Sequence, residues 1–144
     1  MAALTADKSV ALNKMRAGGY SRTIIGKLAA ATTIYKGALC AVNAAGYIVP
    51  AADAAGLVVV GIAQSQVVNA GAAGAAEIAM VTGVFKFANL AAALVAQANM
   101  HRVVYVADDQ TVRGTASATP IIAGVCELIE SDGIWVYVGP QNAL

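Results

Sequence analysis

The chain is a succession of short apolar phrases separated by turn residues. The phrases are Ile34-Tyr35-Lys36-Gly37-Ala38-Leu39-Cys40-Ala41-Val42, Gly46-Tyr47-Ile48-Val49-Pro50, Leu57-Val58-Val59-Val60-Gly61-Ile62-Ala63, Val104-Tyr105-Val106-Ala107-Asp108-Asp109-Gln110-Thr111-Val112 and Gly133-Ile134-Trp135-Val136-Tyr137-Val138. β-Branched and aromatic residues dominate each one, and Gly, Pro, Asn or Asp bound it, as expected of strands joined by tight turns. Asn43-Ala44-Ala45-Gly46 predicts a hairpin loop, and Pro50 ends the strand after it, where a missing N–H costs little. Leu57 to Val68 reads as a half-buried strand running out toward solvent, with Gln64 and Gln66 on one face. Glu77 to Phe87 reads as one strand with a bulge at Gly83. Ser131-Asp132-Gly133 turns into the last strand, which places Ile134, Val136 and Val138 on one face and Trp135 and Tyr137 on the other.

Helical signals are few. Asn89 followed by Leu90-Ala91-Ala92-Ala93-Leu94 predicts one short capped helix, the only one in the body. Residues 1–21 show no sustained period, and Gly18-Gly19 would break a helix begun upstream. The expected organisation is an extended N-terminal arm over 1–21 and a single, mainly β domain over 22–144. No repeat and no internal linker divides the 144 residues.

Composition adds a puzzle. Hydrophobic residues make up 59% of the chain and charged residues 12%, against about 25% charged in ordinary soluble domains. Mean hydropathy is +0.69. A membrane span is nevertheless not expected. The longest stretch without a formal charge, Ala54 to Ala76, is interrupted by Gln64, Ser65, Gln66, Asn69 and four glycines, whereas a spanning helix needs about 20 mostly apolar residues. So few charges on so small a body leave apolar surface for a partner, which favours an oligomer or a protein docked on something larger. Net charge is +1, but residues 1–36 hold Lys8, Lys14, Arg16, Arg22, Lys27 and Lys36 against Asp7 alone. That region carries +5 and the remainder −4. A basic arm on an acidic body suits contact with a neighbouring protein and is equally the pattern of a nucleic-acid arm.

Candidate chemistry is thin. His101 is the one histidine, and its place beside Arg102 before a strand suits solvent or a subunit contact better than catalysis. Asp108-Asp109 fits a turn with side chains bonded to nearby backbone better than a cation site. Glu127 and Glu130 fall on opposite strand faces, too far apart in direction for an acid/base pair. Cys40 and Cys126 lack the paired spacing of a zinc site and read as two separate core thiols, with a disulfide between them left open. Asn69-Ala70-Gly71-Ala72-Ala73-Gly74 lacks the following Lys-Ser/Thr of a phosphate cradle. No catalytic, metal or cofactor residue is nominated, and no enzyme is expected. Because Asp7 and Lys8 interrupt the first apolar residues, no secretory leader is read, and synthesis in a reducing cytoplasm is the expectation.

The phrases, in their order, resemble the small capsid cement (head decoration) proteins of tailed bacteriophages. Ile34–Leu39 with Ala44–Ala51 is similar to that family's first hairpin, and Val58–Ala63 followed by Asn69 and the Gly-rich loop to its centre. Gly83-Val84-Phe85, Val104–Val112, Ala123-Gly124-Val125 and Asp132–Val138 are similar to its second half. The likeness runs from about Ile34 to Val138. It departs at His101-Arg102, where family members more often carry glycine and a small or basic residue. The resemblance implies a compact antiparallel β-barrel-like or tulip-shaped domain, often trimeric, on the outer surface of an icosahedral virion. The implied partners are the major capsid protein and further copies of the chain, with no membrane, no cofactor and no direct nucleic-acid contact. Lys8, Lys14, Arg16, Tyr20 and Arg22 are then the candidate capsid-binding residues. Trp135 and Tyr137 are either an interface patch or core. A virion-surface adhesion module using the Trp135/Tyr137 face, or a nucleic-acid accessory using the arm, remain the alternatives.

Overall fold

The computed structural model describes residues 2–8 and 21–139. Among them are twelve strands: β1 (Thr23–Lys27), β2 (Thr32–Ile34), β3 (Leu39–Val42), β4 (Ile48–Pro50), β5 (Val58–Ala63), β6 (Val67–Asn69), β7 (Glu77–Val81), β8 (Gly83–Asn89), β9 (Val103–Asp108), β10 (Thr111–Arg113), β11 (Ile122–Glu130) and β12 (Gly133–Val138). The mainly β expectation holds. No helix among the described residues is long and apolar enough to cross a membrane.

The C-terminal half closes into a five-stranded barrel in the order β10-β8-β12-β11-β9. Its pairs are antiparallel except β8 and β10, a short parallel contact at Thr111↔Ala88 and Val112↔Asn89 that completes the ring. The period-two pattern decides what fills it. Register pairs Val136 with Phe85 and Ile134 with Phe87, so those side chains share one face with Val138. With Val104, Val106, Val112, Ala123 and Cys126 they form one buried cluster. Lys86 and Trp135 pair on the opposite face.

The N-terminal half makes a second sheet in the order β1-β7-β5-β3-β4. It curls until its ends touch: Leu28 bridges Ile48, and the Ala29 N–H donates to the Ile48 carbonyl at 3.0 Å. Gly26 permits this approach, because a Cβ there would lie 2.5 Å from the Ile48 side chain. The central strands are buried on both faces. Leu39, Ala41, Val59 and Ile62 join the barrel cluster, while Cys40, Ala63, Ile78 and Met80 join a second cluster with Leu28, Ile34 and Ile48. This two-sided burial explains why Leu57 to Ala63 reads as an unbroken apolar run. Opposite Cys40–Ala41 the register skips Val60, and the extra residue returns Ile62 to the face of Val59. The ribbon of β2 and β6 is a third, two-stranded sheet.

Three local expectations are corrected. The strand expected from Leu57 to Val68 breaks at exposed Gln64-Ser65-Gln66, and β6 pairs with β2 instead of extending β5. The strand expected from Glu77 to Phe87 is two strands in two sheets. Gly83, at φ +143°, starts the barrel strand immediately after buried Thr82, so the glycine marks a sheet junction and not a bulge within one ladder. The helix expected after Asn89 is a single 3-10 turn, Ala91–Ala93, and a second follows at Gln97–Asn99. Asn89 does not cap it: its side chain accepts from the Val95 N–H at 2.8 Å and donates to the Val95 carbonyl at 3.1 Å, closing the loop as a ring. The predicted hairpin at Asn43 forms as read, with its side chain accepting from Ala45 and Tyr47 N–H groups, each at 3.0 Å.

Candidate functional site

β1 is the outer strand of the second sheet and, among the described strands, pairs with β7 alone. Its residues alternate between exposed and half-buried, so that Thr23, Ile25 and Lys27 face outward. Ile25 is 61% exposed, and Arg22, also exposed, precedes the strand. An exposed apolar side chain flanked by Arg22 and Lys27, on an outer strand whose far end meets Ile48 through Leu28, is a place for another protein to make a flat contact. Val68 on β6, Leu94 in the loop after β8 and Val58 on β5 are further large apolar side chains left exposed.

The expected basic site is placed as follows. Lys14, Arg16 and Tyr20 lie outside the described residues. Lys8 and Arg22 are anchored on different elements. The Arg22 N–H donates to the Thr82 hydroxyl at 3.1 Å, and Thr82 returns an N–H to the Arg22 carbonyl at 3.0 Å. Lys8 is held by the body: its N–H donates to the Lys36 carbonyl at 2.9 Å, and its ammonium donates to the Gln110 side chain at 3.2 Å. Residues 2–8 are therefore docked on the body.

That docking centres on the β9–β10 turn. Gln110 N–H donates to the Asp108 carboxylate at 2.9 Å, the expected turn chemistry. Asp109 is 2% exposed, and its carboxylate accepts from the Leu4 N–H at 2.9 Å. Burial pushes the Asp109 carboxyl above its ordinary range and Asp108 adds to this, while the Leu4 bond and Lys8 pull it back. The neighbouring Cys40 thiol is pushed up to about 12, by burial first and by the Asp109 charge second. Cys126 is likewise raised, chiefly by burial. Both cysteines are free and buried, and they belong to different core clusters.

Trp135 is 4% exposed, and its indole N–H donates to Glu130 at 2.9 Å. Lys86 covers its ring, 5.8 Å from the centroid, and reaches Asp132 at 2.7 Å and Glu130 at 3.3 Å. The hydrogen bond to Asp132 raises the Lys86 amine and lowers the Asp132 carboxyl. Of the expected Trp135/Tyr137 patch, the tryptophan is thus buried beneath Lys86 on the face of β12 opposite the core cluster, and Tyr137 is half-buried. His101 is exposed with φ +59°, the left-handed backbone that glycine adopts freely. Among the described residues, no group of three or more His, Cys, Asp or Glu is placed to hold a metal ion. The loop after Asn69 turns its polar groups inward: Asn69 donates to the carbonyls of Ala29 at 2.9 Å and Ala72 at 3.0 Å and accepts from Gly71 at 3.1 Å.

Sequence reasoning missed the outward row on β1, because Ile24-Ile25 reads simply as strand. It also missed Asp53, whose carboxylate accepts from Ser117 at 2.5 Å and Thr119 at 3.0 Å and lies 3.6 Å from Arg113. An isolated acid within the alanine run Ala51–Ala55 was the available signal. No family model, curated protein or solved structure matches the chain.

Proposed function

We propose that the chain is a cement protein of a tailed-phage capsid. It binds the outside of an icosahedral shell as a homotrimer, bridges neighbouring copies of the major capsid protein and stabilises the DNA-filled particle. The observation that carries this reading is Ile25, exposed between Arg22 and Lys27 on the outer strand of the second sheet. Such a row fits an apolar and acidic segment of a shell protein. The order of strand phrases along the sequence supports the same reading. Two physical terms supply the function. Binding to the mature shell alone stabilises it by about 2.7 kcal/mol per site at a hundredfold excess over Kd. A trimer touching several subunits makes its later contacts intramolecular, which lengthens residence without stronger single contacts.

Co-sedimentation of the full chain with tailed-phage capsids stripped of decoration tests this, alongside molar mass by light scattering. The expected result is a mass three times that of the chain and saturable binding to shells. Ile25→Lys should weaken that binding at least about tenfold, as loss of a buried apolar contact would. A monomer that ignores shells overturns the proposal. Steeply salt-dependent binding to free DNA would favour the nucleic-acid reading instead.

A further inference from the structure

The body of the molecule carries a socket for a short peptide, and in the isolated chain residues 2–8 fill it. Gln110 donates to the Ala2 carbonyl at 2.6 Å, and the Asp109 carboxylate accepts from Leu4. The Leu4 side chain packs against the second core cluster. Lys36 N–H donates to the Asp7 carboxylate at 3.0 Å, and Lys8 bonds both Lys36 and Gln110. The socket thus reads a carbonyl, an amide, an apolar side chain, a carboxylate and an ammonium in sequence. Emptying the socket would take the Leu4 N–H from the Asp109 carboxylate and uncover the apolar surface beneath Leu4, both unfavourable.

We infer that in the proposed oligomer this socket takes residues 2–8 of a second copy of the chain, so that subunits are tied by exchanged N-terminal segments. Asp109, Gln110 and Lys36 are the same in every copy, so exchange sacrifices no contact, the condition under which swapping is cheap. Twelve residues separate Lys8 from Ser21. At about 3.3–3.6 Å each they span up to about 43 Å, while a body of this size has a radius of gyration of about 15 Å. The tether therefore reaches a neighbour's socket as readily as its own. Inside an oligomer the neighbouring socket stands at a comparable effective concentration, and occupying it adds a link between subunits. The inference rests on the homo-oligomer of the preceding section, but not on its binding a shell.

The test is a pair of full-length variants, Ala2→Cys and Gln110→Cys, co-expressed, with a size tag on the second. After mild oxidation, a disulfide joining position 2 of one chain to position 110 of another gives a reducible species of its own mass, read on a non-reducing denaturing gel. That species is expected, and adding Asp109→Ala to the tagged chain should lower its yield about tenfold, the worth of one hydrogen bond to a charged group. A chain carrying both substitutions serves as the internal comparison. If it closes on itself while the co-expressed pair gives no mixed link, the segment stays at home and the inference fails. If neither links, the socket itself is refuted. Light scattering on the same samples separates the two readings: an oligomer without mixed links overturns exchange alone, whereas a monomer overturns exchange and the trimer together.

Discussion

Asp109 shows how one side chain can be well bonded and still unfavourably placed. Its carboxylate is nearly buried and accepts from the Leu4 N–H and from its own backbone N–H, with Lys8, Asp108 and the Cys40 thiol as its charged and titratable surroundings. Because the folded state raises its pKa, the native chain holds this proton more tightly than the unfolded chain does. Its contribution to stability is therefore fully present below the ordinary carboxylate range and is lost as pH rises through the raised value. Asp109→Asn keeps an acceptor for Leu4 and removes the buried charge. The urea midpoint of Asp109→Asn should exceed that of the parent at pH 7, and the gap should shrink on acidification to pH 4. A variant less stable than the parent at pH 7 would mean the charge itself is needed. In the sequence, Asp108-Asp109 was legible as a turn, because an Asx turn is local. The burial of the second aspartate was not, since it depends on Leu4, more than a hundred positions away.

At the level of single elements, the outcome turned on where strands change sheets. Alternation within β12 and the turns at Asn43 and Ser131 were legible because both are set by nearest neighbours. The breaks after Ala63 and at Thr82 were not. A strand that ends in one sheet and a strand that begins in another look alike when apolar residues continue through the junction. In β11 the register shifts between Ile122 and Gly124 and again between Cys126 and Leu128, bending the strand so that it serves β9 on one side and β12 on the other. A Cβ on Gly124 would collide with the Tyr137 carbonyl and press on Val136. Gly124→Ala should cost about 2–3 kcal/mol, the upper range for overpacking a core, seen as a lower urea midpoint. Gly46→Ala, where a Cβ meets nothing within 4 Å but φ is +91°, should cost only about 1 kcal/mol.

On the scale of the whole molecule, two lobes share one apolar cluster and are pinned at their rims. Asp53, in the loop after β4, is the polar pin: it holds Ser117, Thr119 and Arg113 of the barrel lobe. Asp53→Ala should lower stability by about 1–2 kcal/mol, in the range for a charged hydrogen-bond acceptor. Trp135 fluorescence and far-UV dichroism should still report one coincident transition, because the shared cluster continues to join the lobes. Two separated transitions would show that the pin, and not the cluster, makes the molecule a unit. The class of fold was legible in the sequence, through strand phrases bounded by turn residues. The exposed row Thr23, Ile25 and Lys27 was not, because one strand's outward face is defined by the sheet that covers the other.

The division at Thr82 also sets an order of assembly in time. All of the second sheet comes from residues 23–81 and all of the barrel from residues 83–138, so each lobe can gather its own strands as a contiguous stretch of chain. Leu4 is different. Its partner Asp109 is 105 positions away, and the β9–β10 turn must exist before the contact can form. Residues 2–8 are made long before that turn and are therefore among the last to find their place, and for that interval they are available to any finished neighbour.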